Sequence, residues 1–160
     1  MKTGLLVAGA LLLLSVCSAI AYNSLRNIDN FKCVSQSRYR IARDDNVWTD
    51  IFVTQNLQLY ADHTGFISFV GHAVNNGVDY KINRKVKLKD GFMIDDHTFH
   101  YTIDAVRKVG ADNLPVSEFQ TLLMEVSGDE AVFLFERERI DENAWILGNP
   151  NNWFMTCAEY

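Results

Sequence analysis

Positive charge is in short supply in this sequence. Fifteen Lys and Arg stand against twenty Asp and Glu, a formal net charge of −5. Nucleic-acid binders need a basic face, so this balance argues against one. Proline is nearly absent, with two in 160 residues, and no repeat, low-complexity tract or Pro/Ser-rich linker divides the chain. Catalytic signatures are missing too: there is no G-x-S-x-G, C-x-x-C, H-E-x-x-H or glycine-rich phosphate loop. The expectation is a protein that is not an enzyme and that uses neither cofactor nor metal.

One long apolar run is present. Gly4 to Tyr22 gives 19 uncharged residues, with Lys2 before it and Arg26 beyond it. A spanning helix needs roughly 20 apolar residues. A signal peptide needs a positive start, a shorter apolar centre and a small-residue cleavage site. Ala19-Ile20-Ala21 supplies such a site and would leave Tyr22 at the mature N-terminus. Lipid attachment at Cys17 is a weaker third reading, because Val16 suits that chemistry poorly. Both main readings deliver the chain after Ser24 outside the cytosol, as one domain of roughly 130–140 residues over 25–160.

Cysteine is scarce in that domain. Cys33 and Cys157 are its only two. An even count in an oxidising compartment favours a disulfide, here one that ties the first strand to the chain end. Between them the dominant period is two. In "VDYKINRKVKL", Tyr80, Ile82, Val86 and Leu88 fall on one face, and Asp79, Lys81, Lys85 and Lys87 fall on the other. Segments 51–60, 65–74, 98–106 and 131–140 read as further strands, rich in β-branched and aromatic residues. "ADHTG", "NNG", "KDG", "SGDE" and "DEN" supply turn chemistry between strands. "DNLPVSEFQTLL" (112–123) reads as a loop followed by a short helix covering one end of the sheet. The fold expected is mainly β: an antiparallel meander closing into a lipocalin-like barrel, with one short helix.

Candidate site residues are few. His97 and His100 are three apart, and on a strand their rings would point to opposite faces, which argues against a shared zinc ion. Ser68 and His72 would share a face but lack a third orienting group. Arg84 is the more informative residue, because it occupies the apolar register of Tyr80, Ile82 and Val86. A cation aimed into a core is costly unless paired. Glu136 and Glu138, in register with Val132 and Leu134, are its candidate partners. The functional alternative makes Arg84 the contact for an anionic amphiphile held inside the barrel, with Tyr80, Ile82 and Val86 around it.

The chain resembles the FidL-like family of small enterobacterial inner-membrane proteins. The residues that carry the likeness are the N-terminal apolar segment, "FKCVSQSRY", "ADHTGFISFVGHA", "YKINRKVKL", "IDENAWIL" and "NWFMTCAEY", in that order. The resemblance implies an accessory protein, similar in role to ToxS and PsaF, beside a ToxR-like membrane-bound winged-helix transcriptional regulator. It further implies that residues 1–24 stay as an uncleaved single-pass inner-membrane anchor, with the C-terminal domain in the periplasm touching the regulator's periplasmic part. Some related pairs respond to bile salts or fatty acids. The alternative, from the residues alone, is a secreted periplasmic carrier of a lipid-like ligand.

Overall fold

The computed structural model describes Ser15, residues 28–42 and residues 48–160. The apolar segment expected as an anchor lies outside the described residues, Ser15 excepted. Among the described residues no helix is long and apolar enough to cross a membrane.

Eight antiparallel strands follow one another round a closed barrel: β1 (Phe31–Ala42), β2 (Trp48–Leu59), β3 (Gly65–Asn75), β4 (Val78–Met93), β5 (Thr98–Lys108), β6 (Val132–Asp141), β7 (Ala144–Gly148) and β8 (Trp153–Glu159). One helix, α1 (Val116–Ser127), interrupts the meander between β5 and β6. The two-residue alternation is the cause of the sheet. Along β2, Ile51, Val53, Leu57 and Leu59 are buried on the inner wall while their neighbours are half-exposed. The same alternation in β3 points Ile67, Phe69 and Ala73 inward. Phe99, Tyr101, Phe133 and Phe135 complete a packed interior, with Phe99 stacked on Phe135 at 5.1 Å between centroids. An eight-stranded barrel is narrow enough for side chains to fill it.

Turn chemistry explains the hairpins. Asn76 and Gly77 both take positive φ (50° and 75°), the backbone that a tight β3–β4 reversal needs. "KDG" differs from expectation. Asp90 has φ 53°, yet the chain does not reverse there; β4 bulges and continues to Met93. Gly91 N–H donates to the His63 carbonyl (2.9 Å), and His63 Nδ1 lies 2.7 Å from the Gly91 carbonyl, so the bulge is tied to the β2–β3 turn. The loop and short helix expected over 112–123 are both present, and the helix runs on past 123 to Ser127. It follows Pro115 and ends at Gly128, whose left-handed φ of 72° lets its N–H bond to the Met124 carbonyl at 2.8 Å. Phe119 of α1 packs edge-on against Phe69 (5.3 Å), closing one end of the barrel.

Candidate functional site

Arg84 sits where its register places it, on the inner wall of β4 with Ile82, Val86 and Leu88, all buried; Tyr80 is half-buried at the margin. Its partner is not on β6. The alternation there has the opposite phase: Phe133, Phe135 and Arg137 take the inner register, and Glu136 and Glu138 face outward. "AVFLFERERI" is apolar at five successive positions, so period two alone cannot fix its phase, and the aromatic pair wins the interior. The carboxylate that meets Arg84 is Asp112, in the loop before α1. Arg84 Nε lies 3.1 and 3.2 Å from its two oxygens and Nη2 lies 3.0 Å from Oδ1. Nη2 also donates to the Leu114 carbonyl, and the guanidinium covers the Phe119 ring at 4.5 Å. Both side chains are out of solvent, at 2% and 0% exposure. Burial pushes the Asp112 carboxyl up, but hydrogen bonds from Arg84 and from the Asn83 N–H, with the charges of Arg84 and Lys108, outweigh it. Its pKa ends below the usual carboxylate value. An amphiphile head reaching Arg84 would have to displace Asp112.

This pairing organises the loop. Asn83 N–H donates to Asp112 Oδ2 (2.9 Å), Lys81 N–H donates to Asn113 Oδ1, Asn113 N–H returns to the Lys81 carbonyl (3.1 Å), and Val109 N–H meets the Asn83 carbonyl (2.8 Å). Residues 109–113 thus lie along Lys81–Asn83, within the stretch of β4 before Arg84 that β5 leaves uncovered. Sequence reasoning missed Asp112, the one carboxylate in "VGADNLP".

The other candidates do not assemble. His97 is exposed in the β4–β5 turn, and His100 is half-buried and stacked on Phe92 (4.5 Å). His72 stacks on Phe52 on the outer wall (5.1 Å), where Ser68 also points. Among the described residues no three His, Cys, Asp or Glu side chains gather as a metal-binding group. Cys33 and Cys157 do meet, with Sγ atoms 2.17 Å apart and Cα atoms 5.6 Å apart, at disulfide distance.

That pair marks the least ordinary part of the sheet. β1 pairs with β2 along its whole length, from Phe31 opposite Leu59 to Ala42 opposite Trp48. Against β8 it pairs only at Cys33 opposite Glu159 and Val34 opposite Ala158. Beyond Val34 the strands part, and side chains bridge them. Ser35 Oγ donates to the Thr156 carbonyl (2.7 Å), and Tyr39 OH donates to the Phe154 carbonyl (3.0 Å) while accepting from Gln55 Nε2. Burial raises the Tyr39 pKa, and the hydrogen bonds from Gln55 and Ser37 only partly offset it. Behind this seam, Thr49 Oγ1 and Gln55 Oε1 are buried with no hydrogen-bond partner among the described residues. Among the described strands, Ser35–Ala42 has a neighbour on one side only, and its exposed Arg38 and Arg40 both reach Asp50 (2.9 and 3.1 Å).

Glycines in the family-like stretch have a packing reason. A Cβ on Gly71 would lie 1.9 Å from the Phe52 carbonyl oxygen, and one on Gly65 would lie 2.7 Å from that of Gln58. Close approach of β3 to β2 requires both.

A sequence model of the family described as "FidL-like putative membrane protein" matches residues 71–157, from the middle of β3 into β8. No curated protein and no solved structure matches the chain.

Proposed function

Because this chain belongs to the FidL-like family of membrane proteins, we propose that it is a non-enzymatic accessory protein of the bacterial inner membrane. Residues 1–24 anchor it, and the periplasmic barrel binds and stabilises a ToxR-like membrane-bound transcriptional regulator. One observation carries the proposal: the β1–β8 ladder stops after Val34, leaving Ser35–Ala42 as a strand edge with no described neighbour. Main-chain pairing at such an edge is a common way for one chain to recruit another. Charged Arg38 and Arg40 on the edge discourage indiscriminate pairing, as edge charges generally do.

The test is co-purification from membranes. Tagged full-length protein should bring down a regulator carrying a DNA-binding domain, and deleting the protein should lower that regulator's abundance and output. Unchanged abundance and unchanged target transcription would count against the proposal. The second reading, a secreted carrier of a lipid-like ligand, rests on Ala19-Ile20-Ala21. Intact mass separates the two: a chain beginning at Tyr22 favours the carrier.

A further inference from the structure

The chain is acidic, but its cations are not spread evenly. On the outer wall, β4 carries Lys81, Lys85, Lys87 and Lys89, and Arg107 of β5 stands opposite Lys85. Outward positions of β3 beside them (Phe66, Ser68, Val70, His72) bring no carboxylate. Three acids border this wall: Asp79 at its far end, Asp90 at the β4 bulge beside Lys89, and Asp104, which holds Lys89 at 3.0 Å. Among the described residues, Lys81, Lys85, Lys87 and Arg107 have no carboxylate within ion-pair distance. Lys85 Nζ lies 3.8 Å above the half-buried Phe66 ring, and a shallow cleft of about 360 Å³ runs between these side chains. Val70, on the same face, is 50% exposed.

The end of the barrel at which β1 begins has the opposite character. Its turns carry Asp62, Asp95, Asp96, Asp141 and Glu142, all exposed. A barrel standing on that end above an anionic bilayer would press these carboxylates against the lipid phosphates. Laid on the β3–β5 wall, it presents unpaired lysines and partly exposed apolar groups instead, the combination that suits an anionic headgroup layer. We infer that the β3–β5 outer wall, centred on Lys85 and Lys87, is a docking surface for anionic phospholipid headgroups, and that the barrel lies on its side against the membrane. The inference rests on the membrane-anchored reading above. It assigns the wall to lipid and leaves the β1 edge, elsewhere on the circumference, for a protein partner.

Full-length protein, its retained N-terminus verified by intact mass, is placed in nanodiscs of phosphatidylcholine or of equimolar phosphatidylcholine and phosphatidylglycerol. Acetylation of each lysine is then followed by mass spectrometry. Lys85 and Lys87 should react at least about threefold more slowly in the anionic discs, and salt should abolish the difference, because screening weakens surface electrostatics. Lys108, whose ammonium turns toward Asp112 at 3.7 Å, is the internal reference and should not change. In Lys85→Glu/Lys87→Glu, Lys81 should lose its protection. Equal rates in the two discs overturn the inference, as does protection that appears only when a protein partner is added. A chain found to begin at Tyr22 would instead remove the anchor on which both proposals stand.

Discussion

Two strands of this barrel lose a neighbour part-way along, and the chain treats them differently. β4 outruns β5, and its uncovered stretch is met by residues 109–113, pinned by the Arg84–Asp112 pair and capped by α1. β1 outruns β8, and past their two-residue ladder and the disulfide-distance cysteine pair two hydroxyl bridges join the strands among the described residues. Unpaired backbone groups on a buried edge are costly, so a chain that has a filler uses it. At β4 it does, with a buried ion pair that costs desolvation to assemble. At β1 no described residue does the same, and buried oxygens of Thr49 and Gln55 lie unpartnered behind the seam. On the proposed reading, the filled gap is structural and the one without a described neighbour is where a second chain joins.

Breaking the filled gap should have the largest effect. Arg84→Ala leaves buried Asp112 with the Asn83 N–H and the more distant Lys108 ammonium (3.7 Å) alone, and breaking a buried pair typically costs about 3–5 kcal/mol. Urea unfolding of the detergent-solubilised protein should show it, and Asp112→Ala should do the same. The double variant should fall well short of the sum, since the two share one interaction. If Arg84→Ala is as stable as the parent yet loses binding of a bile salt or fatty acid, Arg84 is a ligand contact and not a latch.

Removing the staple comes next. Cys33→Ser should cost about 2–5 kcal/mol, as loss of a native disulfide usually does. Hydrogen exchange should rise selectively in β8 and the first residues of β1, while the β2–β3–β4 ladders keep their protection. Uniform loosening would mean the seam is not a separate unit.

Acid separates the two gaps without a mutation. Because the folded-state pKa of Asp112 is lowered, its contribution is present in full above the unfolded carboxylate pKa near 3.8 and is lost as pH falls through the lower folded value. Protection of Val109 and Asn113 amides should therefore fade below about pH 4, ahead of the Cys33–Cys157 end of the seam, whose covalent tie does not titrate. Coincident loss would contradict the assignment. Smallest of all, Tyr39→Phe removes the hydrogen bond to the Phe154 carbonyl across the seam and the one accepted from Gln55 Nε2, each neutral and worth about 0.5–1.5 kcal/mol. It should lower the thermal midpoint slightly and leave the β4 side untouched.

Much of the barrel was legible in the sequence. Period two in "VDYKINRKVKL" assigned Ile82, Arg84, Val86 and Leu88 to the interior, and the even cysteine count over 25–160 implied that first and last strands meet. What escaped was non-local. Asp112 reaches Arg84 because a loop folds back across a sequence separation of 28, and no periodicity records that. β6 was misphased because Val132–Phe135 is apolar on both faces. "KDG" has turn chemistry, but the bonds between Gly91 and His63 convert it into a bulge. The seam was invisible for a different reason: β1 alternates normally, and only its partner's divergence makes it an edge.

The β1 edge itself can be examined most directly by site-specific photo-crosslinking in native membranes. A photoreactive residue replacing Gln36 or Arg38 in the full-length chain samples the open half of β1, and one replacing Asn56 samples the paired interior of the β2–β3 ladder. Irradiation should yield one discrete adduct from Gln36 and Arg38, containing the periplasmic part of a membrane-bound transcriptional regulator, and none from Asn56. Absence of any protein adduct from β1, or equal adducts from all three positions, would contradict the claim that this edge is where a partner joins the sheet.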